Sequence, residues 1–236
     1  MCDLGPCFDL GPIETSDLTT IILSVIALFA PLGLFLFYQK YGAPKLKATY
    51  QHREPMARLS SRSGRRGRAS GVPIYDFHFL VENSGRRPAE MAVAVVTEFW
   101  YDGPSGKLVK MEDFMPVPLR YDASGDKVDV YPHRQYYWNI GCIPSPRLQA
   151  VWDRAKVFNA PGKENGGLRF ALDLYGAPYY QVNKPSKGEY GIRVALYSKN
   201  AKPAEIRLKV CWTGEWKDTA KEMFEQIKIQ KVERFS

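Results

Sequence analysis

The sequence predicts a mainly β protein, with one N-terminal transmembrane helix followed by an antiparallel β-sandwich carrying one or two short helices. Three observations predict it. An uninterrupted apolar block runs from Leu18 to Tyr38. From Pro44 onward apolar and polar residues alternate, and turn-forming clusters break the pattern. The composition, 236 residues with 45% apolar and 13% aromatic, excludes a disordered chain, a coiled coil and a disulfide-dense mini-protein. The length suits one sizeable domain plus an appendage. The expected divisions are residues 1–17, a short extracytoplasmic N-terminus; 18–38, the span; 39–72, a first strand and a basic Arg/Ser/Gly-rich loop; and 73–236, the rest of the sandwich with a C-terminal helix or edge strand.

The apolar block has 21 positions, enough for a helix of roughly 30 Å, the thickness of a hydrocarbon core. A cleaved signal peptide would need a basic start and a small-residue exit. Residues 1–17 hold no Lys or Arg, and the exit reads Phe35-Leu36-Phe37-Tyr38. Charge sets the orientation. Asp3, Asp9, Glu14 and Asp17 precede the block, whereas Lys40, Lys45, Lys47 and Arg53 follow it. By the positive-inside rule the N-terminus lies outside and the C-terminal domain is cytosolic, on the inner membrane of a cell. Pro31 removes one backbone donor and bends the helix, which membrane helices tolerate. Ala27, Ala30 and Gly33 recur every three residues, a small-residue stripe on which two such helices can pack into a homo-oligomer.

Four cysteines divide two and two across this topology. Cys2 and Cys7 lie on the oxidising side and can pair with each other or across a dimer. Cys142 and Cys211 sit in strand-like apolar runs and read as small packing residues. No spacing suggests a metal site.

Residues 58–68 carry Arg58, Arg62, Arg65, Arg66 and Arg68 among Ser and Gly, with Leu59 the one apolar residue. This reads as a flexible loop with no packed element. Five arginines close behind the span are expected to contact anionic lipid of the inner leaflet. Nucleic acid is disfavoured. Residues 39–68 hold nine basic residues and one acid, and residues 1–17 contribute −4, so only +4 of the net +8 remains for the other 168 residues.

Strands follow by alternation. Leu46, Ala48 and Tyr50 start the domain. Tyr75, Phe77, Phe79 and Val81 share one face, opposite Asp76, His78 and Glu82. Met91, Val93, Val95, Thr97, Phe99 and Tyr101 are expected on one face of the next strand. Val128–Val130, Gln135–Ile143, Leu168–Leu174, Tyr190–Leu196 and Ile206–Trp212 continue the pattern. Leu148, Val151, Trp152 and Ala155 have helical spacing within Arg147–Phe158. Asp218 is the expected cap of a C-terminal helix through Gln226; Ile227, Ile229 and Val232 either extend it or form an edge strand.

Val81-Glu82-Asn83-Ser84-Gly85-Arg86-Arg87-Pro88-Ala89, followed by an alternating strand, resembles the V-x-N-x-G-x-x-P-A hairpin of immunoglobulin-like adhesion and CARDB-type sandwiches. Phe114–Tyr121 and Val128–Pro132 resemble segments of a group of uncharacterised prokaryotic single-pass membrane proteins bearing such a sandwich. That group often has Trp where this chain has Tyr121. The resemblance covers residues 44–216 and implies an immunoglobulin-like fold and no activity.

Catalytic vocabulary is thin. The chain has no phosphate-binding glycine loop, no nucleophile elbow and no HExxH. His52, His78 and His133 read as structural or solvated. Asp122–Asp126 opens like a calcium loop, but Lys127 replaces the sixth-position glycine and His133 the bidentate glutamate. Tyr175, Tyr179 and Tyr180 flank a Gly-Ala-Pro turn and offer amphipathic rings to a partner. The expectation is a non-catalytic, membrane-tethered binding, scaffold or sensor module at the inner leaflet, with no enzyme activity and no cofactor. Its partners are lipid and an unknown protein. The alternative is a membrane-disrupting effector that oligomerises through its span when the sandwich senses a ligand.

Overall fold

The longest strands form where alternation is longest. The computed structural model describes residues 15–62, 72–103, 105–121, 125–148, 150, 171–172 and 187–235; at 15–18, 21, 38–41, 61–62, 72 and 171–172 it describes backbone alone. The chain divides into two compact units, Met1–Ala43 and Pro44–Ser236.

The first unit is helix α1, Thr15–Gly42, with Pro31 inside it. Its described large apolar side chains are exposed, from Ile22 and Leu23 to Leu36 and Phe37. The unbroken run of described side chains is Ile22–Phe37. Among the described residues no helix offers a stretch long and apolar enough to cross a membrane.

The second unit holds two antiparallel sheets. In the first, β1 (Leu46–Thr49) and β2 (Ala57–Arg62) both pair with β3 (Val72–Asn83). The sheet continues through β8 (Gln135–Pro144) to β9 (Ala171–Leu172). In the second, β4 (Ala89–Asp102) pairs with β5 (Leu108–Lys110), β6 (Val117–Pro118) and β7 (Lys127–Val130). On its other edge follow β10 (Gly188–Tyr197), β11 (Ala204–Trp212) and β12 (Ile227–Lys231). One core joins the sheets: Tyr75, Phe77, Phe79 and Trp138 from the first meet Val96, Phe99, Ile192, Val194, Leu208 and Val210 from the second. The unit is therefore a β-sandwich.

Three expectations are corrected. The arginine-rich stretch is not all loop, because Ala57–Arg62 forms β2, in register with Phe77–Val72. Local composition missed this because the partner strand supplies the hydrogen bonds. Strict alternation also fails in β4. A bulge leaves Thr97 without a cross-strand partner between Val96↔Val194 and Glu98↔Arg193. The buried face is thus Ala92, Ala94, Val96 and Phe99, with Met91 exposed. At the C-terminus both open readings hold in succession: helix α2, Ala220–Gln226, runs into β12. Thr219, rather than Asp218, is the N-cap, its hydroxyl accepting from the Glu222 amide. Asp218 instead accepts from Trp216 Nε1 at 2.8 Å.

Candidate functional site

Among the described residues, polar side chains enter the fold notably at two places. The first is the connection between β1 and β2. Tyr50 is buried, and its hydroxyl lies 3.0 Å from His52 Nδ1. The imidazole stacks on Phe77 of β3, centroids 6.4 Å apart at 8°, and meets Phe224 of α2 edge-on at 5.1 Å. Tyr75 meets Trp216 at 5.1 Å and Phe224 at 6.3 Å, both edge-on. Its hydroxyl has no hydrogen-bond partner among the described residues. Burial lowers the His52 pKa below the usual imidazole value and raises that of Tyr50 far above the usual phenol. Burial, reinforced by Asp218 and Glu222, pushes Tyr75 up to about 12. At neutral pH the box is therefore uncharged. It clasps the first strands of the sandwich to its last helix.

The second place is the end of the sandwich where the chain arrives from Pro44. Asn83 is 2% exposed, and its amide makes four hydrogen bonds. Oδ1 accepts from the Lys45 and Gly85 amides at 3.0 and 2.9 Å; Nδ2 donates to the Arg87 and Val130 carbonyls at 2.6 and 2.9 Å. One side chain thus fastens β1, the β3–β4 turn and β7. Asn200 ties in the β10–β11 loop, accepting from the Glu90 amide and donating to the Pro88 carbonyl, both at 3.0 Å. The His133 amide donates to the Asn83 carbonyl, which adds the β7–β8 turn. Lys45, Arg86, Arg134, Lys199 and Lys202 are all exposed on these segments.

The outer faces of the sheets differ. On the first, Ser60 Oγ donates to Asp76 Oδ2, and Asp76 is in register with the buried Cys142. Leu148 packs over Ile74 and Cys142. On the second, an ion-pair ladder runs across four strands. Lys110 reaches Glu98 at 2.7 Å, Arg193 reaches Glu98 at 3.2 Å and Glu205 at 2.6 Å, and Arg207 reaches Glu205 at 3.4 Å. The hydrogen bond from Lys110 holds the Glu98 carboxyl below its usual range. Lys209 does the same for Glu189 at 2.7 Å. Glu189 also accepts from Cys211 Sγ, and burial raises that thiol. A high thiol pKa leaves little thiolate for nucleophilic chemistry.

The residues singled out from sequence scatter. Arg58 is exposed on β2 in register with Asp76, and Arg62 ends β2 opposite Val72. Arg65, Arg66 and Arg68 lie outside the described residues, as do Tyr175, Tyr179 and Tyr180, Cys2 and Cys7, and most of the expected Arg147–Phe158 helix. Ala27, Ala30 and Gly33 are exposed on α1, and a Cβ added at Gly33 would meet nothing within 4 Å. No metal-binding cluster occurs among the described residues. Sequence reading missed the burial of Asn83. Its N-x-G context signalled a turn, but the partners that bury it, Lys45 and Val130, are 38 and 47 residues away. No protein-family model matches the chain, and neither does any curated protein.

Proposed function

We propose that this chain is a single-pass, membrane-tethered binding module, without catalysis, whose sandwich faces the cytosol and recruits or reports on a protein partner at the inner leaflet. The observation that carries the proposal is α1. It is a 28-residue helix, about 42 Å long, whose described large side chains are apolar and exposed. A helix apolar on every face has no stable place in water. The 21-residue block Leu18–Tyr38 within it matches the length a hydrocarbon core requires, and the Lys and Arg that follow give the orientation. The reading of the sandwich as immunoglobulin-like rests on the β3–β4 turn, which does not close the hairpin expected from the sequence but crosses from one sheet to the other. There the Asn of the V-x-N-x-G-x-x-P-A pattern, Asn83, holds turn and neighbouring strands together.

Alkaline carbonate extraction tests the tether. The full chain is expected to stay in the membrane pellet, and a chain lacking Leu18–Tyr38 to move to the supernatant. A reporter fused after Ser236 is expected to be active only in the cytosol. A full chain released by carbonate, or a reporter active only outside, overturns the proposal. Site-specific photo-crosslinking in intact cells tests the recruiting role, with one recurrent protein adduct expected from the sandwich and its complete absence counting against it.

A further inference from the structure

The arginine-rich stretch follows the span closely in sequence, but its described part, on β2, runs away from the Asn83 end of β3. Strands β1 and β2 run in succession along one edge of β3. Leu46 is in register with Asn83 at one end of that 12-residue strand, and Arg62 with Val72 at the other, ~36 Å distant. Arg62 therefore lies at the end of β3 opposite the one where the chain arrives.

The Asn83 end carries its own positive charge. Lys45, Arg86, Lys199 and Lys202 are exposed and in no ion pair among the described residues. Arg134 lies over the ring of Tyr131 at 5.5 Å, and Tyr131 is 45% exposed. Three acids share this end among the described residues, the first being Glu82, next to Asn83 on β3. Glu90 is exposed, and Asp129 Oδ1 accepts from the Met91 amide. These basic residues come from four separate stretches of chain, and the hydrogen bonds of Asn83 and Asn200 gather them. Covalent reach limits how far Lys45 can stray from the span. Gly42 is four helical residues past Tyr38, about 6 Å, and three further residues to Lys45 add at most ~11 Å. Lys45 therefore stays within about one screening length of the headgroup layer. Basic groups with an amphipathic ring are what such a layer attracts.

We propose that the Asn83 end of the sandwich, through Lys45, Arg86, Arg134, Lys199 and Lys202 with Tyr131, docks on anionic lipid headgroups of the membrane that holds α1. This rests on the membrane reading of α1 and moves the principal lipid contact away from Arg58 and Arg62. Docking limits the tilt of the sandwich and fixes which of its surfaces a cytosolic partner meets.

The test is amide hydrogen exchange on the full chain in nanodiscs of phosphatidylcholine alone or mixed with phosphatidylglycerol. Segments 84–88, 131–134 and 198–203 are expected to exchange several-fold more slowly in the anionic discs, with added salt reversing the effect. The opposite-end residues 105–107 are expected not to respond. Replacing Lys45, Arg86, Lys199 and Lys202 together by serine is expected to erase the difference, and Arg58→Ser with Arg62→Ser to leave it. Equal exchange in both lipids overturns the proposal, as does a difference that only the Arg58 and Arg62 pair removes. A chain that never enters a nanodisc fails the membrane reading itself, and the docking surface with it.

Discussion

Replacing Asn83 by alanine removes four hydrogen bonds and strands the Lys45 and Gly85 amides and the Arg87 and Val130 carbonyls. At about 1 kcal/mol net per bond, the expected loss is about 3–4 kcal/mol, seen as a lower thermal midpoint in matched detergent. A melt within error of the parent would show that water replaces the amide. His52 makes a pH prediction whose sign follows from burial. Its folded pKa lies below the unfolded value near 6.5. Above that value both states hold neutral imidazole and the fold loses nothing. As pH falls below it the unfolded chain gains a proton that the folded chain resists, so stability declines with acidity. The expected outcome is a decline beginning just under pH 6.5 that His52→Gln flattens, measured by denaturation midpoints at successive pH values. At this scale sequence was a weak guide. Asn83 and His52 were visible as residue types, but their roles depend on who buries them.

Strands were far more legible. Alternation located β1, β3, β10 and β11, because one buried face imposes period two on any strand that half faces water, and β8 was found as an aromatic, apolar run. Its failure in β4 has a local cause. The extra residue Thr97 donates its hydroxyl to the Arg193 carbonyl at 3.3 Å and shifts the inward face by one position. The segment after β12 was not legible at all, because its partners are distant in sequence. The Val232 amide donates to the Arg207 carbonyl, Arg207 Nη1 donates to the Glu233 carbonyl, and Phe235 packs on Trp100 with ring centroids 5.3 Å apart. Gly191 makes room for that ring: a Cβ there would lie 2.9 Å from both Phe235 and the Trp100 Cβ. Gly191→Ala is therefore expected to displace Phe235 from β10. Carboxypeptidase should then trim the C-terminus several-fold faster while the thermal midpoint falls only modestly. An unchanged trimming rate would mean the ring accommodates the methyl.

Both sheets of the sandwich share one core, so neither can shed its inner face without exposing the other's. Phe77 lies at the centre of the first sheet's inner face and stacks on His52. Phe77→Ala is expected to cost about 3–5 kcal/mol. It should lower the far-UV and near-UV circular dichroism transitions together; separated transitions would show that the sheets melt independently. Composition, alternation and turn chemistry by themselves determined that Pro44 onward is a two-faced antiparallel β protein, and that an apolar helix precedes it. These are local properties, set by period and by transfer of side chains from water. Tertiary structure alone decided which basic residues stand together. Pairing β1 and β2 in succession along β3 puts Arg62, opposite Val72, at one end of the sandwich. The same fold gathers single lysines and arginines from four distant stretches at the other. A sheet orders residues by hydrogen-bond register, and register is indifferent to distance along the chain.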